Sequence, residues 1–168
     1  MHARAVVATA CAVVLVACYS QSPLAPTPQI PIETSLIGSW RCLSPDPEQP
    51  VANLAFARLP DVDREYEITW QEKPEKEAET YRGYISLVRG FRFLNLRDPS
   101  IKGWAFARYS LLRPNVLRVE LLGEGPYKED TASVSSQVAR VTLEKALKAT
   151  PEALMELCVC VKNVSDTR

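Results

Sequence analysis

The sequence predicts a mainly β protein: an antiparallel up-and-down barrel, or a strongly curved sheet, of about eight strands with a helical segment before the last one. Three observations carry this reading. Short apolar or alternating runs recur between residues 36 and 122, separated by turn-forming residues. Tyr66, Ile68 and Trp70 interleave with Glu65, Glu67, Thr69 and Gln71, the two-residue period of a half-buried strand. After Gly123-Glu124-Gly125-Pro126 the period becomes helical, and Leu157-Cys158-Val159-Cys160-Val161 then returns to a β-branched composition.

Taken in order, residues 36–43 form the first expected strand, which the prolines of 44–50 stop. Residues 51–59 form the second and 65–71 the third; the charged stretch 73–79 that follows reads as a solvated hairpin tip. Residues 81–88 and 91–96 are the fourth and fifth, separated by Arg89-Gly90, where glycine permits a tight turn. After the turn cluster 98–103, residues 104–112 and 116–122 are the sixth and seventh strands around Arg113-Pro114-Asn115. Val134, Val138, Val141, Leu143 and Leu147 mark an imperfect helical stripe. Thr150-Pro151-Glu152 has the form of a second helix start, with Thr150 as N-cap and Pro151 in the first turn. The helical excursion is expected over about 133–157, and residues 157–161 return to the sheet as the last strand.

Ahead of this domain, Arg4 gives a positive start, residues 5–16 an apolar run and Ala17 a small residue before Cys18, the layout of a secretory signal. The run is shorter than the about 20 residues that a transmembrane helix needs, and Tyr19-Ser20-Gln21-Ser22 follows at once. Leu15-Val16-Ala17-Cys18 resembles the lipobox of bacterial lipoproteins. The resemblance implies cleavage after Ala17 and acyl chains such as palmitate on the Cys18 sulfur, anchoring the mature protein in the cell envelope. Tyr19, where many enterobacterial relatives retained in the inner membrane carry aspartate, points to the periplasmic face of the outer membrane in a diderm host. The chain then divides into a signal peptide (1–17), a lipidated cysteine with a tether (18–34), a barrel-like domain (35–163) and a tail (164–168). Pro23, Pro26, Pro28 and Pro31 make the tether a semi-rigid spacer of up to roughly 45 Å.

Removing residues 1–17 takes away Arg4 and no acid, which leaves 151 residues with 19 basic and 20 acidic side chains, net −1. A chain of that size builds a real core. Its balanced, interspersed charge argues against nucleic acid as a partner and against a polybasic membrane patch, leaving the acyl anchor as the membrane contact. The single histidine, His2, lies in the removed segment, so histidine-based triads and metal centres are excluded; no cofactor or metal is implied and no catalytic motif is present. Cys42, Cys158 and Cys160 remain in an oxidising compartment. Closure of a barrel sets the first strand beside the last, and antiparallel pairing points to a Cys42–Cys158 bridge, with Cys160 as the alternative partner.

Gly38-Ser39-Trp40 is similar to the Gly-x-Trp of the first strand of lipocalins. That resemblance implies an up-and-down barrel whose interior takes a lipid-like or other small apolar ligand. Trp40, Tyr66, Ile68, Trp70, Phe91, Phe93, Trp104 and Phe106 are the expected lining, and the same bulky residues could instead fill so narrow a barrel. The reading at this level is a non-enzymatic, membrane-anchored envelope lipoprotein binding such a ligand; the alternative is an assembly lipoprotein that holds an envelope protein.

Overall fold

The computed structural model describes residues 20–45, 51–97, 103–122, 135–149 and 154–163. Ala17, Cys18, Val134, Thr150, Pro151 and the 164–168 tail lie outside the described residues. In chain order come β1 (Gly38–Leu43), β2 (Ala52–Arg58), β3 (Tyr66–Gln71), β4 (Glu79–Val88), β5 (Phe91–Arg97), β6 (Trp104–Arg113), β7 (Val116–Leu122), α1 (Ser136–Ala149) and β8 (Leu154–Lys162). Each strand pairs antiparallel with the next, and β1 pairs with β8, so the sheet closes into an eight-stranded barrel with one helix before the last strand. This is the predicted architecture, with closure chosen over an open curved sheet. Closure removes every free sheet edge, the feature that makes open sheets pair with other chains.

The chain's turns set two rims. At one lie the β4–β5 and β6–β7 turns and the entry to β1; at the other lie the β3–β4 hairpin and the start of β6. At the β4–β5 turn, Arg89 and Gly90 both have positive φ, 52° and 81°, the pair of left-handed residues a type I′ hairpin requires.

The helical excursion is shorter than the expected 133–157. The helix ends at Ala149 and β8 has begun by Leu154, so 154–157 is strand. A β-bulge explains the concealment: Val119 pairs with Cys158 but Glu120 with Glu156, so Leu157 is an extra residue that breaks the two-residue alternation.

Two apolar clusters occupy opposite faces of the sheet. The first is the barrel interior, to which every strand contributes; Trp40, Phe56, Tyr66, Ile85, Leu94, Tyr109, Leu117 and Cys160 are all buried there. The second lies outside, where Val88, Phe93 and Phe106 are covered by Ala139 and Leu143 of α1 and by Leu24. Strands β4 to β6 are therefore buried on both faces.

The largest departure from expectation concerns residues 20–34, which are not a free spacer but a strap along the outer face. Ser20 pairs with Trp104: its N–H donates to the Trp104 carbonyl at 2.9 Å, and its carbonyl accepts from the Trp104 N–H at 2.7 Å. The Leu24 N–H donates to Asn95 Oδ1 at 2.8 Å, and the Tyr84 hydroxyl donates to the Ala25 carbonyl. Gln29 donates its N–H to Ile85 and accepts from the Leu87 N–H. The prolines that argued for a spacer serve the strap equally well, because they limit the freedom of the unfolded chain and the strap needs no ladder of donors. Burying Leu24 contributes about 1.5–3 kcal/mol, and each hydrogen bond adds about 0.5–1.5 kcal/mol net.

Candidate functional site

The strap ends in a turn over residues 33–37, closed by the Leu36 N–H to the Glu33 carbonyl at 3.0 Å and Ile37 to Thr34 at 3.2 Å. Leu36 is driven into the barrel mouth and fully buried, and its carbonyl accepts the Trp40 indole N–H at 2.8 Å. Lys162 lies 5.3 Å from the centre of the Trp40 ring and donates to the Ser35 carbonyl at 3.0 Å. Gly38 has φ 119°, a conformation glycine adopts without strain. Trp40 thus packs at the β1 entry, beneath the turn.

Beside this turn is a cleft of about 480 Å³ lined by Glu33, Ser35, Gly90, Phe91, Arg92, Tyr109, Ser110 and Leu111. Glu33 organises it. Its carboxylate accepts from Arg92 Nε at 2.7 Å and from the Tyr109 hydroxyl at 3.0 Å, while its own N–H donates to the Tyr66 hydroxyl at 2.6 Å. Burial, reinforced by the Glu33 carboxylate, pushes the Tyr109 phenol far above its ordinary range, and burial raises Tyr66 as well. Both tyrosines stay protonated through neutral pH and act as hydrogen-bonding groups, not as bases. Glu33 likewise raises the Arg92 guanidinium. Phe91 is 48% exposed at the rim, with the Arg108 guanidinium 5.2 Å from its ring centre; Arg108 is itself held by Glu120 across β6 and β7 at 2.7 and 2.5 Å. The cleft therefore offers a guanidinium, hydroxyls and an aromatic face: equipment for binding.

The eight residues expected to line the barrel divide between its faces. Trp40, Tyr66 and Ile68 are interior and buried. Trp70 shares their face, through its pairing with Leu54, and is half-buried. Phe91, Phe93, Trp104 and Phe106 are corrected to the outer face: Phe93 and Phe106 lie under α1 and the strap, Trp104 stacks edge-on to Tyr84 with centroids 5.6 Å apart, and Phe91 lines the rim cleft. In β5 it is Leu94, opposite Ile85, that points inward. Strands covered on both sides carry apolar residues at both parities, so alternation alone cannot tell their inside from their outside.

The bridge between the first and last strands is present, but its partner is Cys160, not Cys158. Cys42 lies directly opposite Cys160 in the β1–β8 register, because β1 pairs only with the final residues of the long β8, while the start of β8 runs on beside β7. Cys158 is a buried free thiol 3.5 Å from the Cys160 sulfur, pushed up to about 12 by burial and then by Glu156. All three sulfurs lie within 4.8 Å of one another, and with the bridge formed a single thiol remains.

Sequence reasoning missed Glu33, Arg92, Tyr109 and Ser110. Glu33 was absorbed into the tether, although it is the first acid after a long uncharged, proline-rich run. Tyr109 was legible as the bulky member of the series Ala105, Ala107, Tyr109 on one face of β6, a series in which it meets the barrel mouth. No family model, curated protein or solved structure matches the chain.

Proposed function

We propose that the protein is a non-enzymatic, lipid-anchored component of the cell envelope whose solid barrel holds a protein partner at the Glu33 cleft. The filled interior carries this choice over a lumen that takes an apolar ligand. Trp40 and Tyr66 are wholly buried there and Phe56, Ile68, Leu54 and Tyr109 nearly so, packed among side chains from all eight strands. Eight strands leave an interior just wide enough for such side chains to fill. What the molecule offers outward is the cleft rim: Phe91, 48% exposed, lines it beside the hydrogen-bonded Arg92 and Glu33. An aromatic and an arginine in a concave setting are the residue types that anchor protein interfaces.

The test is site-specific photocrosslinking in cells producing the full chain. Benzoylphenylalanine in place of Phe91 is expected to give a discrete protein adduct, and the same probe in place of exposed Val141 on α1 is expected to give none. Equal labelling at both positions, or none at Phe91, defeats the reading.

One observation favours the alternative of a small ligand inside the barrel. The Trp70 indole N–H is buried with no acceptor among the described residues, and its side chain belongs to the inward face. A ligand bonded there would be retained in native mass spectrometry of the wild type and lost from Trp70→Phe.

A further inference from the structure

We infer that the barrel stands end-on against the bilayer, with its β3–β4 rim toward the lipid and the Glu33 cleft at the far end; this rests on acylation of Cys18 as read above. The argument is the shortness of the leash. Ser20 is fixed to Trp104, the first residue of β6, by hydrogen bonds in both directions. Only Tyr19 separates Ser20 from Cys18, and two residues of extended chain reach about 7 Å. Acyl chains on Cys18 belong in hydrocarbon, so the start of β6 stands off by little more than one headgroup layer.

The strap supplies no slack. Leu24 is 1% exposed and bonded to Asn95, Ala25 accepts from Tyr84, and Gln29 bonds to β4 in both directions before Glu33 reaches the opposite rim. Turning the barrel over would require stripping all of these contacts. Trp104 is half-buried at the lower rim against Tyr84, an aromatic at the depth where such side chains meet headgroups.

Surface charge alone argues for the reverse orientation. The β3–β4 hairpin carries Glu72, Glu75, Glu77 and Glu79 against Lys73 and Lys76. The cleft rim carries Arg58, Arg64, Arg89, Arg92, Arg113 and Lys162 against Glu33, Asp61, Asp63 and Glu65. An anionic bilayer acting on a freely tethered barrel would draw down the cleft rim. Leash and field thus predict opposite poses, which makes the pose measurable.

The experiment uses the full-length acylated protein in vesicles of phosphatidylethanolamine and phosphatidylglycerol doped with a gadolinium-chelate lipid. Trifluoromethyl-phenylalanine replaces exposed Glu77 at one rim or Phe91 at the other. Strands of ten residues give a barrel about 25 Å tall at the usual tilt. With a sixth-power distance law, the fluorine signal at position 77 is expected to broaden roughly ten-fold or more beyond that at 91, given that height. Inserting about ten Gly/Ser residues between Tyr19 and Ser20, a reach of about 17 Å, is expected to erase or invert the difference. Comparable or reversed broadening in acylated, vesicle-bound protein without the insertion overturns the end-on pose and leaves the anchor standing. Protein that emerges without acyl mass on Cys18 and fails to bind vesicles overturns the anchor and the pose together.

Discussion

Removing the Cys42–Cys160 bridge is expected to cost the domain about 4–5 kcal/mol. The two cysteines are separated by 118 positions, and the chain-entropy treatment assigns that value to a loop of this length. At about 2–4 °C per kcal/mol for a domain near 150 residues, the melting midpoint should fall by about 8–20 °C. The barrel itself should persist, because β1 and β8 remain joined by backbone pairing from Trp40 to Leu43 and by the Asn163 N–H to the Ser39 carbonyl. Cys160→Ala should behave like the reduced protein even though Cys158 remains. Cys158 sits diagonally from Cys42, and diagonal Cα atoms lie about 7–8 Å apart, beyond the about 4.4–6.8 Å that a disulfide spans. Cys158→Ala should cost no more than about 1–1.5 kcal/mol, since it removes one small buried group and no crosslink. Circular-dichroism melts of the oxidised, reduced and two variant proteins, with non-reduced peptide mapping, measure all four. A shift below about 3 °C for Cys160→Ala, or a Cys42–Cys158 peptide in that variant, would refute the reasoning.

Gly83→Ala should destabilise the barrel by about 1–3 kcal/mol in urea titrations, because its new Cβ would lie 2.8 Å from the Asn95 carbonyl oxygen and 3.0 Å from Ile68 Cδ1; an unchanged midpoint contradicts the packing. Asn95→Leu should strand the buried Leu24 N–H and remove bonds to Ser86 and Tyr84, costing about 1–3 kcal/mol and exposing the strap to proteolysis and amide exchange ahead of the strands. Stability should decline as pH rises above about 9: burial pushes Cys158 from its ordinary 9.0 up to about 12 and Tyr84 from 10.0 up to about 12, and Tyr66 and Tyr109 are raised too. The folded state keeps these protons where the unfolded chain has lost them, so their contribution is complete below the unfolded values and disappears toward the folded ones. Urea midpoints that stay flat between about pH 8 and 11 would contradict this, and Cys158→Ala should remove the earliest part of the decline.

Strand count, order and the first-to-last bridge were legible because they depend on local runs, turn residues and the topology of closure. Arg89-Gly90 announced its hairpin by composition alone. Illegible features came from pairings between distant segments. The strap reads as a linker because its hydrogen bonds go to Asn95, Tyr84 and Trp104, more than fifty residues downstream. Phe93 and Phe106 read as lining because nothing local reports that α1 covers the outer face. The choice between Cys158 and Cys160 turned on the register of β8 against β1, which sets Cys42 opposite Cys160 and has no composition signature. The cleft was hidden for the same reason, since Glu33, Arg92 and Tyr109 come from the strap and two different strands.

Because β8 is the strand that joins β1 to β7, the ring imposes a completeness requirement on the polypeptide. A chain truncated before Leu154 would have seven strands ready to pair and two unsatisfied margins, one at β1 and one at β7. Such margins recruit strands from other molecules, so an interrupted product should be insoluble or degraded and not a smaller working protein. The nine residues of β8 thus complete the ring, and the covalent bond at Cys160 ties that last strand to the first.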